Sequence, residues 1–133
     1  MKAWYSVIIY KPSLTAQEFI NIGVITFNQD KVFCFFGPDF TRTKVFSRKE
    51  DLISLYKEIG YWYDACNHNL LFPGDKETEY NKYERMLIRS SDKSRNIQVT
   101  KPIFYPTEPL QLLEFCKNVY LSKNKDKNLF YYY

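Results

Sequence analysis

The sequence is short of the residues and patterns that usually carry chemistry. It has one histidine and three cysteines. Cys34, Cys66 and Cys116 lie far apart with no C-x-x-C pair, which gives neither a disulfide framework nor the ligand spacing of a zinc site. No run of eighteen uncharged apolar residues occurs, and the opening MKAWYSVIIYKPS has no small-residue cleavage site. No membrane span or export signal is therefore expected, and a reducing cytoplasm is the expected compartment. G-x-S-x-G, P-loop, G-x-G-x-x-G and H-E-x-x-H motifs are also missing, so the common hydrolase, nucleotide-binding and oxidoreductase readings lose their usual support, and no cofactor is implied. Charge of one sign is not in large excess: 19 Lys and Arg against 15 Asp and Glu leave a net +4. That is mild for one domain, so only local clustering of cations would point to nucleic acid.

What the chain has in abundance is rings. Twelve Tyr and eleven Phe among 133 residues mean a core built from large aromatic side chains, with Tyr hydroxyls that need partners or water. The length suits one domain. Residues 1–122 read as a single α+β domain, and residues 123–133 as a basic-aromatic C-terminal tail.

Three strands open the chain. The run WYSVIIY (4–10) stops at Lys11-Pro12-Ser13, and a second apolar run spans 19–27. The turn residues Asn28 to Lys31 join it to VFCFF (32–36) in an antiparallel hairpin. Ser47-Arg48-Lys49-Glu50 has the pattern of a capping box, followed by Leu52, Leu55, Tyr56, Ile59, Tyr63 and Cys66 at helical spacing. A weaker helix is expected from Glu77 to Arg89. Residues 97–105 read as an extended segment that Pro102 confines to a sheet edge. A last helix begins near Thr107 as N-cap, with Leu110, Leu113, Cys116 or Lys117, and Tyr120 on its inner face. Strands segregated from helices predict an α+β fold: an antiparallel sheet of three to five strands with two or three helices packed on one face.

Three groups of residues could carry function. Glu18, Asn21 and Gly23 stand at the front of the second strand. Glu18 could act as a base or metal ligand, Asn21 could position a substrate, and Gly23 could admit a ligand or backbone. The structural alternative gives them a solvated loop end, a hairpin contact, and a bulge or space for a ring; in a regular strand, Asn21 and Gly23 would share a face with Ile25 and Phe27. The second group is basic. Arg42, Lys44, Arg48 and Lys49 precede the first long helix, while Arg85, Arg89, Lys93, Arg95 and Lys101 follow the weaker one among Tyr80, Tyr83 and Tyr105. Cations interleaved with rings suit phosphates and bases, although Glu77, Glu79, Glu84 and Asp92 dilute the second cluster. His68 is the third candidate; alone after a helix, it reads as a capping or surface residue. No metal site can be assembled from the scattered carboxylates.

Tyr5-Ser6-Val7-Ile8 through Tyr10, Pro12, and then Glu18-Phe19-Ile20-Asn21-Ile22-Gly23-Val24-Ile25 form a pattern that resembles the bacterial domain-of-unknown-function family 3037. The likeness continues weakly into PIFYPTEPLQLLEF. Many members carry Arg directly before the motif's Glu; Gln17 stands there in this chain. The resemblance implies a small intracellular protein of bacterial or phage origin, and a partner or regulator role beside a kinase resembling the HipA-type toxins. Three readings follow: an interaction protein binding such a kinase or a defence-system component, a nucleic-acid binder using the basic clusters and tyrosines, and an enzyme centred on Glu18 and Asn21. The sequence leaves the oligomeric state open.

Overall fold

The computed structural model describes residues 2–12, 19–37, 40–45, 47–74, 81–92 and 96–121, with only the backbone of Arg42. The chain runs β1 (Ala3–Tyr10), β2 (Ile20–Phe27), β3 (Val32–Phe36), α1 (Thr41–Val45), α2 (Lys49–Asn67), α3 (Lys82–Ser90), β4 (Ile97–Val99), β5 (Ile103–Tyr105) and α4 (Pro109–Tyr120). All strand pairs are antiparallel, in the order β3-β2-β1-β4, with β5 also pairing β1. β4 lies against Ile8–Tyr10 and β5 against Ala3–Tyr5, so residues 97–105 form one edge strand interrupted around Pro102. This is the α+β arrangement expected from the sequence.

The alternation of β1 divides the core in two. Ile8 and Tyr10 join Ile25, Phe27, Leu55, Trp62, Leu71, Phe72 and Met86 on the face that α2 and α3 cover. Ala3, Tyr5 and Val7 join Val24, Leu112, Leu113 and Cys116 on the other. Helices thus pack on one face as expected, and α4 in addition takes the reverse. Thr26 shows why that face needs a helix: its hydroxyl, fully buried, donates to the Pro109 carbonyl at 2.8 Å. At the far end of α4 the hydroxyls of Tyr5 and Tyr120 meet at 2.9 Å. Burial, helped by Tyr120, pushes the Tyr5 phenol above its ordinary pKa.

The hairpin turn forms as expected, with the Asn28 carboxamide accepting from the N–H groups of Asp30 and Lys31. The helix starts differ from expectation. Arg48, not Ser47, is the N-cap of α2 and caps without its side chain, because the Ser47 hydroxyl donates to the Tyr10 phenol at 3.0 Å. The reciprocal cap belongs instead to α3: Asn81 accepts from the Glu84 N–H at 2.8 Å and donates to its carboxylate at 3.1 Å. Residues 77–80 of the expected weak helix lie outside the described residues. Glu108 rather than Thr107 caps α4, followed by Pro109 in the first turn, where a missing N–H costs nothing. The buried faces also depart in part from expectation. Tyr56 and Tyr63 of α2 and Leu110 of α4 are exposed, while Trp62 and Ala65 are inside.

α2 ends in a Schellman turn, with Leu70 N–H bonded to the Ala65 carbonyl and Asn69 N–H to that of Cys66. Asn69 holds φ at 57°, and its side chain accepts from the Val32 N–H at 3.1 Å. Asn69→Ala is expected to cost about 2 kcal/mol, from the left-handed backbone and the lost hydrogen bond, and Asn69→Gly about half as much, because it keeps the conformation. Urea unfolding of the two variants would separate these contributions.

Candidate functional site

The front of β2 contains an irregularity that reorders the Glu18, Asn21, Gly23 group. Ile8 pairs with Gly23 but Ile9 pairs with Asn21, so Ile22 is an extra residue on β2. This is a β-bulge, and it switches the side-chain alternation. Ile20 and Ile22 enter the same core as Ile25 and Phe27. The shared face expected of Asn21 and Gly23 is therefore lost: the Asn21 side chain is exposed and makes no hydrogen bond to a described residue, while Gly23 is buried. A Cβ on Gly23 would lie 2.7 Å from the Phe36 ring and 2.9 Å from the Phe35 carbonyl oxygen. Glycine is needed there for the approach of β3. Glu18 lies outside the described residues.

The described basic residues do not converge on one groove. Lys44 and Lys49 are exposed, on α1 and the first turn of α2. Arg48 pairs with Asp51 at 3.5 Å. Arg85 is half-buried on α3, and the Arg89 guanidinium lies 4.8 Å from the centre of the Phe72 ring. Tyr83 packs against Trp4 with ring centres 5.3 Å apart, and Lys101 is exposed at the break between β4 and β5. Tyr80, Lys93, Arg95 and the 123–133 tail lie outside the described residues. His68 is the C-cap of α2, exposed, with Nδ1 2.9 Å from the Asp64 carbonyl oxygen.

A polar cleft of about 210 Å³ opens where β1 ends, lined by Tyr10, Asp51, Ser54, Glu58, Arg89 and Asn96 over Leu55 and Ile97. Asp51, Ser54, Leu55 and Glu58 fall at helical spacing on one face of α2, which explains their convergence. The two carboxylates start two turns apart, about 10.5 Å of rise, wider than a shared proton or metal requires. Among the described residues no group of three His, Cys, Asp or Glu could hold a metal ion. The thiols are poorly placed as nucleophiles. A hydrogen bond to Cys66 and then burial push the Cys34 thiol up, and burial raises Cys116 to about 12.

The two edges of the sheet are finished differently. Along β3, α2 and its C-terminal turn supply the missing partners: Tyr63 Oη accepts from the Phe36 N–H at 2.8 Å, Asn69 from that of Val32, and the Trp62 carbonyl receives the Cys34 thiol at 3.8 Å. The opposite edge has no such cover among the described residues. Ile103, Phe104 and Tyr105 remain 44–49% exposed, and Phe115 of α4, 47% exposed, stacks on Tyr105 with ring centres 5.7 Å apart. Trp4 supports Phe104 from behind at 5.7 Å. The result is an apolar rim on both faces of β5, Tyr105 with Phe115 on the α4 face and Phe104 against Trp4 on the other, and only Tyr105 of this group stood out in the sequence. Their period-two pattern gave the strand; that both of its faces stay wet depends on where α4 lies.

No helix among the described residues is long and apolar enough to cross a membrane. A family model described as protein of unknown function (DUF3037) matches residues 5–111, which takes in β2 to β5, most of β1 and the bulge. No curated protein and no solved structure matches the chain. The match covers most of the sequence, and the chain belongs to the DUF3037 family.

Proposed function

We propose that this chain is an interaction protein that recognises another protein through its open edge, the surface of Ile103, Phe104, Tyr105 and Phe115. The observation that carries the reading is the contrast between edges: β3 is sealed by side-chain and backbone groups, whereas β5 leaves its three large side chains, with Phe115 of α4 beside them, about half exposed. Exposed apolar surface of this kind is a burden on a lone domain and a common mark of a protein contact. Aromatic side chains give such a contact area at little entropic cost. The basic residues support the nucleic-acid reading less, because Arg48 and Arg89 are engaged within the fold and Tyr83 is packed on Trp4. In the cleft beside Tyr10 the carboxylates of Asp51 and Glu58 start two helical turns apart, which supports a catalytic pair less.

The candidate partners are the ones the family resemblance supplies, a toxin-like kinase of the HipA type or a component of a defence system. Co-purification of the tagged chain with a HipA-type kinase, repeated with Phe115→Glu, tests the reading. The expected result is a complex formed by the natural chain and lost in the variant, with unchanged circular dichroism. A complex unaffected by Phe115→Glu would remove the β5 surface from the account. Loss of binding between low and moderate salt, together with bound nucleic acid, would move the reading to phosphate recognition.

A further inference from the structure

We infer that the open edge also takes a second copy of this chain, in competition with the partner proposed above, joined by antiparallel pairing of β5 with β5 about a two-fold axis at Phe104. This rests on the reading of the edge as a protein contact. The backbone direction comes from β1. Val7 accepts from the Thr100 N–H at 3.0 Å and donates to the Thr100 hydroxyl at 2.8 Å, so its backbone groups point toward β4 and β5. By alternation Tyr5 and Ala3 point the same way, toward their partners Ile103 and Tyr105. Phe104 between them turns its N–H and C=O outward.

The residues that flank β5, Pro102, which is buried, and Pro106, where the chain turns and the Thr107 N–H bonds back to the Tyr105 carbonyl at 2.8 Å, have no N–H to offer. A long foreign strand would find donors at only one of three positions. A second β5 matches this limit: Phe104 of one copy exchanges two hydrogen bonds with Phe104 of the other, and neither copy brings a further donor that must be satisfied. The same register sets Ile103 of each copy against Tyr105 of the other, an aliphatic-aromatic cross-strand pair on the α4 face. The ends are complementary as well. Lys101 at one end and Glu108 at the other are both exposed, and neither side chain pairs with a described residue. Antiparallel pairing brings each lysine toward the other copy's glutamate.

The four half-exposed side chains offer roughly 400 Å² per copy if each exposes about half of the area such residues bury. A standard interface takes about 800 Å² per partner, so the dimer is expected to be weak and concentration-dependent, with a micromolar or weaker dissociation constant.

Sedimentation equilibrium of the full chain from micromolar to near-millimolar concentration tests this. The expected result is a reversible monomer–dimer equilibrium that Phe104→Lys weakens at least about a hundredfold. Ile103→Lys, whose side chain lies outside both core clusters, serves as the second variant should Phe104→Lys disturb the fold. Lys101→Glu is expected to weaken the dimer about tenfold, through two lost pairs and two new repulsions, and Lys101→Glu with Glu108→Lys to restore it. A chain that stays monomeric throughout, or a dimer indifferent to Phe104 and Ile103, overturns the inference. Were the chain monomeric yet still held by its kinase partner in a manner sensitive to Phe115→Glu, the edge would remain a protein contact with a different occupant. Monomer and no such complex would remove both readings.

Discussion

Trp62→Ala is expected to lower the free energy of unfolding by about 3–5 kcal/mol, the range for removing a fully buried large ring. Trp62 is completely inside, with Phe36 at 6.1 Å and Phe72 at 5.5 Å, both edge-on. It occupies the space between the β3 edge and the turn that follows α2, so its loss opens a cavity that neither neighbour can fill without leaving its own contacts. Trp62→Phe should cost far less, about 1–2 kcal/mol. It keeps a ring, and it removes an indole N–H that is buried without an acceptor among the described residues. Urea unfolding followed by circular dichroism checks both. A drop in midpoint with unchanged slope is expected, and a loss below about 1 kcal/mol for Trp62→Ala would mean that this ring does not anchor α2.

Trp62 also shows what the sequence conceals. The period of α2 was legible, because Leu55, Ile59 and Cys66 recur at helical spacing, but its phase was not. Tyr61, Trp62 and Tyr63 stand in a row, and all three are large and ring-bearing. Which one turns inward depends on where β3 lies, and β3 takes Tyr63 at its rim, as a hydroxyl acceptor for Phe36, while Trp62 goes beneath. The strands were easier, since apolar runs bounded by Pro12, by Asn28 to Lys31 and by Gly37 leave few other options. Pro102 announced the edge strand because a residue without an N–H has few other places in a sheet. Caps failed for a similar reason to Trp62. Ser47 has the right pattern, yet the buried Tyr10 phenol needs a partner and takes its hydroxyl. Local signals are obeyed until a buried polar group makes a stronger demand.

The candidate surface was less legible than the fold. An exposed Phe104 and a buried Phe27 look alike in sequence, and only the placement of α4 decides that Tyr105 and Phe115 stack at the surface. The abundance of Tyr and Phe foretold a ring-rich interior, and the surplus that the interior does not take is shared between the outer face of α2, with Tyr56 and Tyr61, and the open edge.

Gly23→Ala is the second large effect, expected at about 3 kcal/mol from one methyl group. The added carbon would meet the Phe36 ring at 2.7 Å and the Phe35 carbonyl oxygen at 2.9 Å. Neither can retreat cheaply. Phe36 is wedged between Trp62 at 6.1 Å and Tyr63 at 5.6 Å, and the backbone of Phe35 belongs to the β2–β3 ladder. Relief would require β3 to move away, which would pull its N–H groups from Tyr63 and Asn69 and expose the edge that α2 now seals. Asn21→Ala, two residues earlier, should change stability by less than about 0.5 kcal/mol, because its side chain is exposed and bonds to no described residue. Thermal unfolding of both variants divides the motif by physical cause. A steep loss at Gly23 with none at Asn21 assigns the glycine to close packing at the bulge. If Asn21→Ala then abolishes partner capture while the fold is intact, the asparagine belongs to recognition; an equal loss of stability at both positions would instead make the pair a single structural unit.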